Sequence, residues 1–159
     1  MTHLKEGDKA PEFHLQDQNH GGWSLSEFEG KPVVLYFYPK DDTPGCTKEA
    51  CQFRDRFDDY KKAGAKVIGI SPDTAEDHAA FTDKYDLPFI LLADPEHDVC
   101  EKYGVWQEQE YKGQTYWGAK RTTFLIGPDG VIRKVYENVD PEGHAAKVLE
   151  DVRGLEKAA

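Results

Sequence analysis

Short apolar runs alternate with helical patterns along the first two thirds of this chain. Residues 33–38 and 67–70 are continuous apolar runs, which predict strands buried on both faces. A third strand is predicted at residues 89–92. Helical patterns cover residues 44–62 and 74–85, and an Asp-Pro pair at 94–95 predicts a short helix that ends at Gly104.

The last third of the chain predicts a hairpin followed by a helix. Residues 122–126 and 131–136 flank the turn sequence Gly127-Pro-Asp-Gly130, which is typical of a β-hairpin. A last helix is predicted from Asp140 onward, with an apolar stripe formed by Ala145, Val148, Leu149, Val152 and Leu155. The chain ends, residues 1–9 and 156–159, are predicted to fray.

This order of elements predicts an α/β layered fold in one domain over residues 1–159. The centre of the sheet is expected to be mainly parallel, with the hairpin forming an antiparallel edge. In such sheets the reactive site usually lies beyond the carboxyl ends of the strands. The segment that follows Tyr38 is therefore the first place to look for chemistry.

Composition and charge narrow the classes of function. A formal net charge of −10 repels phosphate backbones and anionic lipids, which disfavours binding to nucleic acid or a membrane surface. The longest apolar run, at residues 33–38, is far shorter than the roughly 20 residues of a membrane helix, and no secretory signal is recognisable. Three cysteines, an odd number, argue against a secreted disulfide framework and predict a cytoplasmic protein.

Cys46 is the first candidate nucleophile. Thr43 and Pro44 have the residue types of a helix N-cap and first helical position, which makes Cys46 the third helical residue. Unpaired backbone N–H groups and the positive end of the helix dipole favour a thiolate there. Helical spacing also places Cys46 on one stripe with Ala50, Phe53, Phe57 and Tyr60, so that it points inward. The alternative is a small, unreactive core cysteine.

Cys51 lies five residues further along the same predicted helix. It projects about 140° away from Cys46, and the two Cα atoms are roughly 8–9 Å apart in an intact helix. A disulfide needs less than about 7 Å, so a bond between them requires the first turns to unwind. Pro44 and Gly45 make that end of the helix easy to open. The alternative is a passive, half-buried thiol.

The segment around these cysteines resembles the active-site signature of the peroxiredoxins. Residues 38–54 read Tyr-Pro-Lys-Asp-Asp-Thr-Pro-Gly-Cys-Thr-Lys-Glu-Ala-Cys-Gln-Phe-Arg, and the match is closest to the peroxiredoxin Q group, also called bacterioferritin comigratory protein. The resemblance extends from residues 7–13 through residues 120–126 to the last helix. It implies a thioredoxin-like fold, with a central mixed β-sheet flanked by helices and an N-terminal β extension.

The resemblance assigns roles to five residues. Cys46 is implied to be the peroxidatic cysteine, whose thiolate attacks a peroxide oxygen and becomes a sulfenic acid. Thr43 is implied to hydrogen-bond the sulfur or the peroxide, Pro39 to shield the pocket wall, and Arg121 to stabilise the thiolate and polarise the oxygen–oxygen bond. The backbone N–H groups of Gly45 and Cys46 are further implied donors.

The second half of the implied reaction uses Cys51 as the resolving cysteine. It attacks the sulfenic acid after the helix unwinds, and a dithiol protein such as thioredoxin or a glutaredoxin then reduces the intrachain disulfide. The implied substrates are hydrogen peroxide and organic hydroperoxides, and the implied state is a monomer. No flavin, nicotinamide or Walker fingerprint is present, so no cofactor is expected. Glu49 either orients Arg121, caps the loop, or is a solvated helix-face residue.

Other readings of the same residues stay open. A general thiol–disulfide oxidoreductase normally has two residues between its cysteines, whereas four separate Cys46 from Cys51. A cysteine phosphatase needs an Arg six residues after the cysteine, where this chain has Gln52. A peroxide sensor or holdase is compatible with the sequence as an added role.

Several further residues are predicted to be structural. Cys100 is expected to pack in the core, although it is the next candidate if Cys51 does not resolve. His97 and Cys100 share helical spacing but make a poor zinc site, and no metal site is expected. Aromatic residues at 106, 111, 116 and 117 surround a predicted hairpin tip at Lys112-Gly113. Strand packing is their expected role, and a substrate or partner surface is the alternative.

Overall fold

The computed structural model describes residues 1–158, and the side chains of residues 1–155, as a β-sheet with helices on both faces. The strands are β1 (His14–Asp17), β2 (Gly22–Ser24), β3 (Val33–Phe37), β4 (Lys66–Ser71), β5 (Ile90–Ala93), β6 (Trp106–Tyr111), β7 (Gln114–Ala119), β8 (Thr122–Ile126) and β9 (Ile132–Tyr136). The helices are α1 (Pro44–Asp55), α2 (Phe57–Lys62), α3 (Ala75–Tyr85), α4 (Asp98–Lys102) and α5 (His144–Ala158). No helix in these described residues is long and apolar enough to cross a bilayer.

Seven strands form one mixed sheet in the order β2-β1-β5-β4-β3-β8-β9. The central strands β3, β4 and β5 are parallel, while β1 and β8 pair antiparallel to their neighbours. The predicted α/β fold, with its mixed sheet, N-terminal β extension and β8–β9 hairpin, is confirmed. Phe37 pairs with Thr122, so the end of β3 and the start of β8 meet at one edge of the sheet.

The two faces of the sheet hold separate cores. Alternate residues of β3 point to opposite sides: Val34 and Tyr36 join the core under α1, α3 and α5, whereas Leu35 and Phe37 join the core under α4 and the N-terminal segment. The first core contains Cys46 and the second contains Cys100. Two of the three cysteines are therefore buried on opposite faces.

The helix predicted over residues 44–62 is interrupted. Arg56 has φ −109° and ψ 10°, outside the helical range, and its N–H bonds the carbonyl of Phe53 three residues back. The chain therefore forms α1 and α2 with a break between them. The inward stripe survives the break, because Cys46, Ala50 and Tyr60 are buried as predicted.

Two helices begin later than predicted. The short helix expected from Asp94 begins at Asp98, because the Asp94 carboxylate reaches forward to accept the N–H groups of Val99 and Cys100. The last helix begins at His144 rather than Asp140, since residues 140–143 form a turn that ends at Gly143 with φ +81°. Its predicted apolar stripe is confirmed.

The prediction of a frayed N-terminus is wrong. The Gly7 N–H donates to the Ile132 carbonyl, Lys9 forms an isolated bridge with Val131, and the Thr2 hydroxyl donates to the Tyr103 carbonyl. These long-range backbone contacts carry no signal in the local sequence. At the other end, α5 continues to Ala158, and Ala159 lies outside the described residues.

Strands β6 and β7 form a separate two-stranded ribbon whose tip is Lys112-Gly113, as predicted. Tyr111, Tyr116 and Trp117 are exposed on this ribbon, so strand packing is the wrong interpretation for these three aromatics. Trp106, at the base, stacks on the His97 ring with 4.0 Å between centroids.

Candidate active site

The loop between β3 and α1 and the residue before β8 come together at the carboxyl edge of the parallel strands. This is the edge that the sequence predicted for the site. The antiparallel pairing of β3 with β8 brings Arg121, which precedes β8, beside the start of α1. Residues separated by 75 positions in the chain are thus neighbours in the fold.

Cys46 is the third residue of α1 and is 1% exposed. Arg121 Nη2 lies 3.3 Å from its Sγ, in the geometry of a hydrogen bond from guanidinium to sulfur. The sulfur therefore has a fixed cation beside it inside an apolar core. This is the contact that the resemblance implied for these two residues.

Thr43 is the N-cap residue of α1, as predicted, but its side chain caps no N–H of the helix. Instead its hydroxyl donates to the Lys40 carbonyl at 2.9 Å. The hydroxyl proton is thus engaged, and the oxygen is left with lone pairs that can accept a hydrogen bond. The Thr43 side chain therefore accepts no hydrogen bond from the backbone N–H groups at the start of α1.

Glu49 is buried and paired with Arg121, so a solvated position is the wrong interpretation for it. Its Oε1 lies 2.6 Å from Arg121 Nη1, and its Oε2 has no hydrogen-bond partner within the described part of the chain. Burial raises the pKa of Glu49 to about 7, although Arg121 opposes that rise. Burial lowers the pKa of Arg121, but Glu49 and Cys46 together raise it by more than burial lowers it. The pKa of Arg121 is therefore raised, and the guanidinium stays charged.

Gly45 and Pro39 occupy the loop side of this cluster. A Cβ on Gly45 would lie 3.0 Å from Arg121 Nη2 and 3.6 Å from Pro141, so the guanidinium uses the space that a side chain would fill. Pro39 directly follows Tyr38 and is exposed.

Cys51 lies on the same uninterrupted helix as Cys46 and is partly buried. Burial raises its pKa, while Arg54 opposes the rise. Both cysteines are free thiols, as is Cys100. Cys46 and Cys51 thus lie in an intact helix, whose geometry keeps Cα atoms five residues apart beyond the reach of a disulfide.

Cys100 packs in the core on the other face of the sheet, as predicted for a structural cysteine. Burial raises the pKa of its thiol, and the nearby Asp94 carboxylate raises it further. The sheet separates it from Cys46. It is therefore a poor second candidate for the resolving role.

Sequence reasoning missed a buried polar network beside the site. Asp41 accepts a hydrogen bond from the Tyr38 hydroxyl and lies 2.5 Å from the ring of His78 on α3. His144, at the start of α5, lies 2.8 Å from the Thr123 hydroxyl; burial and then Arg121 lower its pKa to about 4. The only local signal was two histidines among apolar helix positions, which is not specific.

One group in the described residues has the side chains of a metal site: Asp41, Asp73 and His78 offer atoms within 4.8 Å of one another. Hydrogen bonds inside the protein already engage these atoms. Asp73 accepts the backbone N–H of Asp41 and the Ser71 hydroxyl, while His78 meets Asp41 and the Leu92 carbonyl. Internal hydrogen bonding accounts for the arrangement.

The chain is similar to known proteins over most of its length. A model of the AhpC/TSA family matches residues 6–135. Peroxiredoxin Bcp of Escherichia coli is 47% identical over 149 residues, which cover 94% of this chain and 96% of that protein. A variant of peroxiredoxin Q from Xylella fastidiosa superimposes with a TM-score of 0.92 at 30% identity, covering 97% and 98% of the two chains. The bacterioferritin comigratory protein of Xanthomonas campestris gives a TM-score of 0.85 at 33% identity, covering 90% and 91%.

The chain belongs to the AhpC/TSA family and is a peroxiredoxin, a thiol-dependent peroxidase with a thioredoxin-like fold. Its relatives place it with the Bcp, or peroxiredoxin Q, proteins, as the resemblance of residues 38–54 predicted.

Proposed function

We propose that Cys46 is the peroxidatic cysteine, and the observation that carries this is its contact with Arg121. The guanidinium donates a 3.3 Å hydrogen bond to the sulfur, so a permanent positive charge lies beside the sulfur in a water-poor core. Electrostatic stabilisation of this kind is strongest where the dielectric is low. Neither of the other cysteines has a comparable cation against its sulfur among the contacts of the described residues.

The first step is a displacement at oxygen. The Cys46 thiolate forms a sulfur–oxygen bond, the peroxide oxygen–oxygen bond breaks, and the leaving hydroxide or alkoxide takes a proton to become water or an alcohol. Arg121 and the N–H groups of Gly45 and Cys46 face the developing charge. Thr43, whose own proton is held by Lys40, accepts the peroxide O–H and so aligns the substrate. Pro39 offers no N–H and keeps water from the opening.

The second step closes a disulfide within one chain. Cys51 attacks the Cys46 sulfenic acid, which releases water and forms the Cys46–Cys51 bond. The first turns of α1 must unwind for this, which breaks the contacts of Cys46 and Glu49 with Arg121 and moves Cys46 out of the core. The ion pair of Lys48 with Glu142 adds little resistance, because it is long, at 3.5 Å, and its side chains are exposed. Because both cysteines come from one helix, no second subunit is needed and a monomer suffices.

A dithiol protein such as thioredoxin or a glutaredoxin completes the cycle by reducing the disulfide. Hydrogen peroxide and organic hydroperoxides are the proposed substrates. The related X. campestris protein is described as an alkyl peroxide reductase, which supports the second class. The cycle requires a reducing compartment, which makes the cytoplasm the proposed location.

Steady-state peroxide consumption with thioredoxin and its reductase tests this scheme. Wild type is expected to turn over many times, Cys51→Ser to react once and stop, and Cys100→Ser to behave like wild type. Sustained turnover by Cys51→Ser would remove Cys51 from the resolving role. Stoichiometric rather than catalytic consumption by wild type, with either thioredoxin or glutaredoxin, would favour a sensor over a peroxidase.

A further inference from the structure

The loop of residues 39–43 is fastened to α3 by a buried hydrogen-bond network. Asp41 is 9% exposed, and its two carboxylate oxygens are both engaged. Oδ1 accepts the Tyr38 hydroxyl at 2.5 Å, and Oδ2 lies 2.5 Å from Nδ1 of His78. The carboxylate therefore links the end of β3 to a helix that follows a different strand.

His78 is fixed at both ring nitrogens and is fully buried. Its Nε2 lies 2.9 Å from the Leu92 carbonyl on β5. A carbonyl only accepts, so Nε2 carries a proton and donates it to Leu92, while Nδ1 faces the Asp41 carboxylate. Any rotation of the ring would leave buried polar atoms unpaired.

The network reaches the reacting residues through the backbone. The N–H of Asp41 donates to Asp73 at 2.8 Å, which fixes the peptide that carries the Lys40 carbonyl. That carbonyl in turn accepts the Thr43 hydroxyl. A shift of Asp41 would therefore move the acceptor that orients Thr43, the N-cap of the helix that begins with Cys46.

We propose that His78 is a positioning residue for peroxide reduction, because it holds Asp41 and, through it, the loop that presents Thr43 to the peroxide. This proposal rests on the proposed role of Cys46. A second link from the same loop to α3, from Asp42 to Lys84 and Tyr85, is largely exposed. Exposed pairs contribute little, so the buried link sets the loop position.

Two variants of His78 separate its two hydrogen bonds. The side-chain nitrogen of Asn occupies the position of Nδ1 and keeps a donor toward Asp41, whereas that of Gln occupies the position of Nε2 and keeps a donor toward Leu92. We expect His78→Gln to slow oxidation of Cys46 by hydrogen peroxide by about 10- to 100-fold, the scale of a misplaced catalytic group. His78→Asn should retain most of the wild-type rate.

A readout other than stability distinguishes positioning from folding. Each variant is mixed with hydrogen peroxide, or separately with iodoacetamide, and loss of the Cys46 thiol is followed by mass spectrometry. Alkylation needs the thiolate but not the alignment of a peroxide. The ratio of peroxide rate to alkylation rate should therefore fall in His78→Gln and stay near wild type in His78→Asn.

Asp94→Asn is the matched control, because Asp94 is a buried carboxylate that anchors the loop after β5 instead. It should lower stability without changing the ratio. The proposal is overturned if His78→Gln keeps the wild-type ratio, if both His78 variants lose it equally, or if Asp94→Asn loses it as much. Failure of wild-type Cys46 to react with peroxide would instead contradict the proposed function.

Discussion

Cys46 and Cys100 occupy equivalent positions in two helices but face opposite charges. Each is the third residue of a helix that follows a central parallel strand, and each is almost fully buried. Arg121 contacts the sulfur of Cys46, whereas the Asp94 carboxylate lies against Cys100 and takes its backbone N–H. The two cysteines therefore share a helix position, and the sign of the neighbouring charge distinguishes the proposed peroxidatic Cys46 from Cys100.

The capping residues extend this contrast. The Asp94 carboxylate accepts hydrogen bonds from two N–H groups at the start of α4, those of Val99 and Cys100. Thr43 turns its hydroxyl away from α1 and toward Lys40, so it takes none of the corresponding donors. An anionic side chain therefore caps the start of α4, whereas the Thr43 side chain does not cap the start of α1.

The largest expected effect comes from replacing the sulfur of Cys46 with oxygen, and the same replacement at Cys100 is its control. Cys46→Ser should abolish peroxide consumption, since a hydroxyl is not ionised at neutral pH. Cys100→Ser should keep activity within about twofold of wild type, because a hydroxyl can donate to Asp94 in its place. Peroxide loss with a thiol reductant measures both. Equal losses of activity in the two variants would contradict the proposed difference in role between Cys46 and Cys100.

Removing the cation should have the next largest effect. Arg121→Met is expected to slow Cys46 oxidation by about 10²–10³-fold, the usual loss for one stabilising donor. Arg121→Lys should recover only part of the rate. It restores the positive charge, but an ammonium group cannot contact both Glu49 and the sulfur as the planar guanidinium does.

A matched control separates charge from folding in that experiment. Glu49→Gln combined with Arg121→Met removes the buried carboxylate that the single variant leaves unpaired. The double variant should be more stable than Arg121→Met and equally slow. Recovery of the peroxide rate in the double variant would show that unfolding, rather than loss of the cation, caused the defect.

The buried carboxyl of Glu49 predicts a pH dependence of stability. Its pKa is about 7 in the folded chain against 4.5 in the unfolded chain, so between these values the folded state binds more protons. Stability must therefore fall as pH rises through this window. The free energy of unfolding of wild type, relative to Glu49→Gln, should decrease by up to about 3 kcal/mol from pH 4.5 to pH 7. Urea titrations at several pH values measure it, and a rise would contradict the account.

The smallest expected effect comes from one methyl group. Gly45→Ala places a Cβ 3.0 Å from Arg121 Nη2, so the guanidinium must move by a few tenths of an ångström. The peroxide rate should fall by a factor of about 3–10. Gly154→Ala, in α5 with nothing within 4 Å, should leave the rate unchanged and stabilise the helix by roughly 0.5–1 kcal/mol. Equal rates for the two variants would contradict the packing argument.

Much of the fold followed from local patterns. The apolar runs at 33–38, 67–70 and 89–92 are the parallel strands, and the inward stripe of Cys46 and Phe53 is buried as its spacing predicted. Helix starts were less predictable. Asp94 caps a helix from several residues away, and the turn before His144 depends on Gly143 in a left-handed conformation.

The site residues were predictable where the chain resembles the family, which includes Arg121 as well as the segment around Cys46. Thr43, Gly45, Cys46 and Cys51 lie within one short segment, and a family signature marks them. The partnership of Arg121 with Glu49 and that of Asp41 with His78 arise from strand pairing and helix packing, which bring distant residues together. Local sequence contains no record of those distances, which is why Glu49 also fitted an exposed helix face.

The most direct test of the account is a cysteine map after a single oxidation. Reduced protein is treated with one equivalent of hydrogen peroxide, alkylated, digested and analysed by mass spectrometry. We expect a Cys46–Cys51 disulfide, with Cys100 alkylated as a free thiol. An oxidised Cys100 beside an unreacted Cys46 would contradict it.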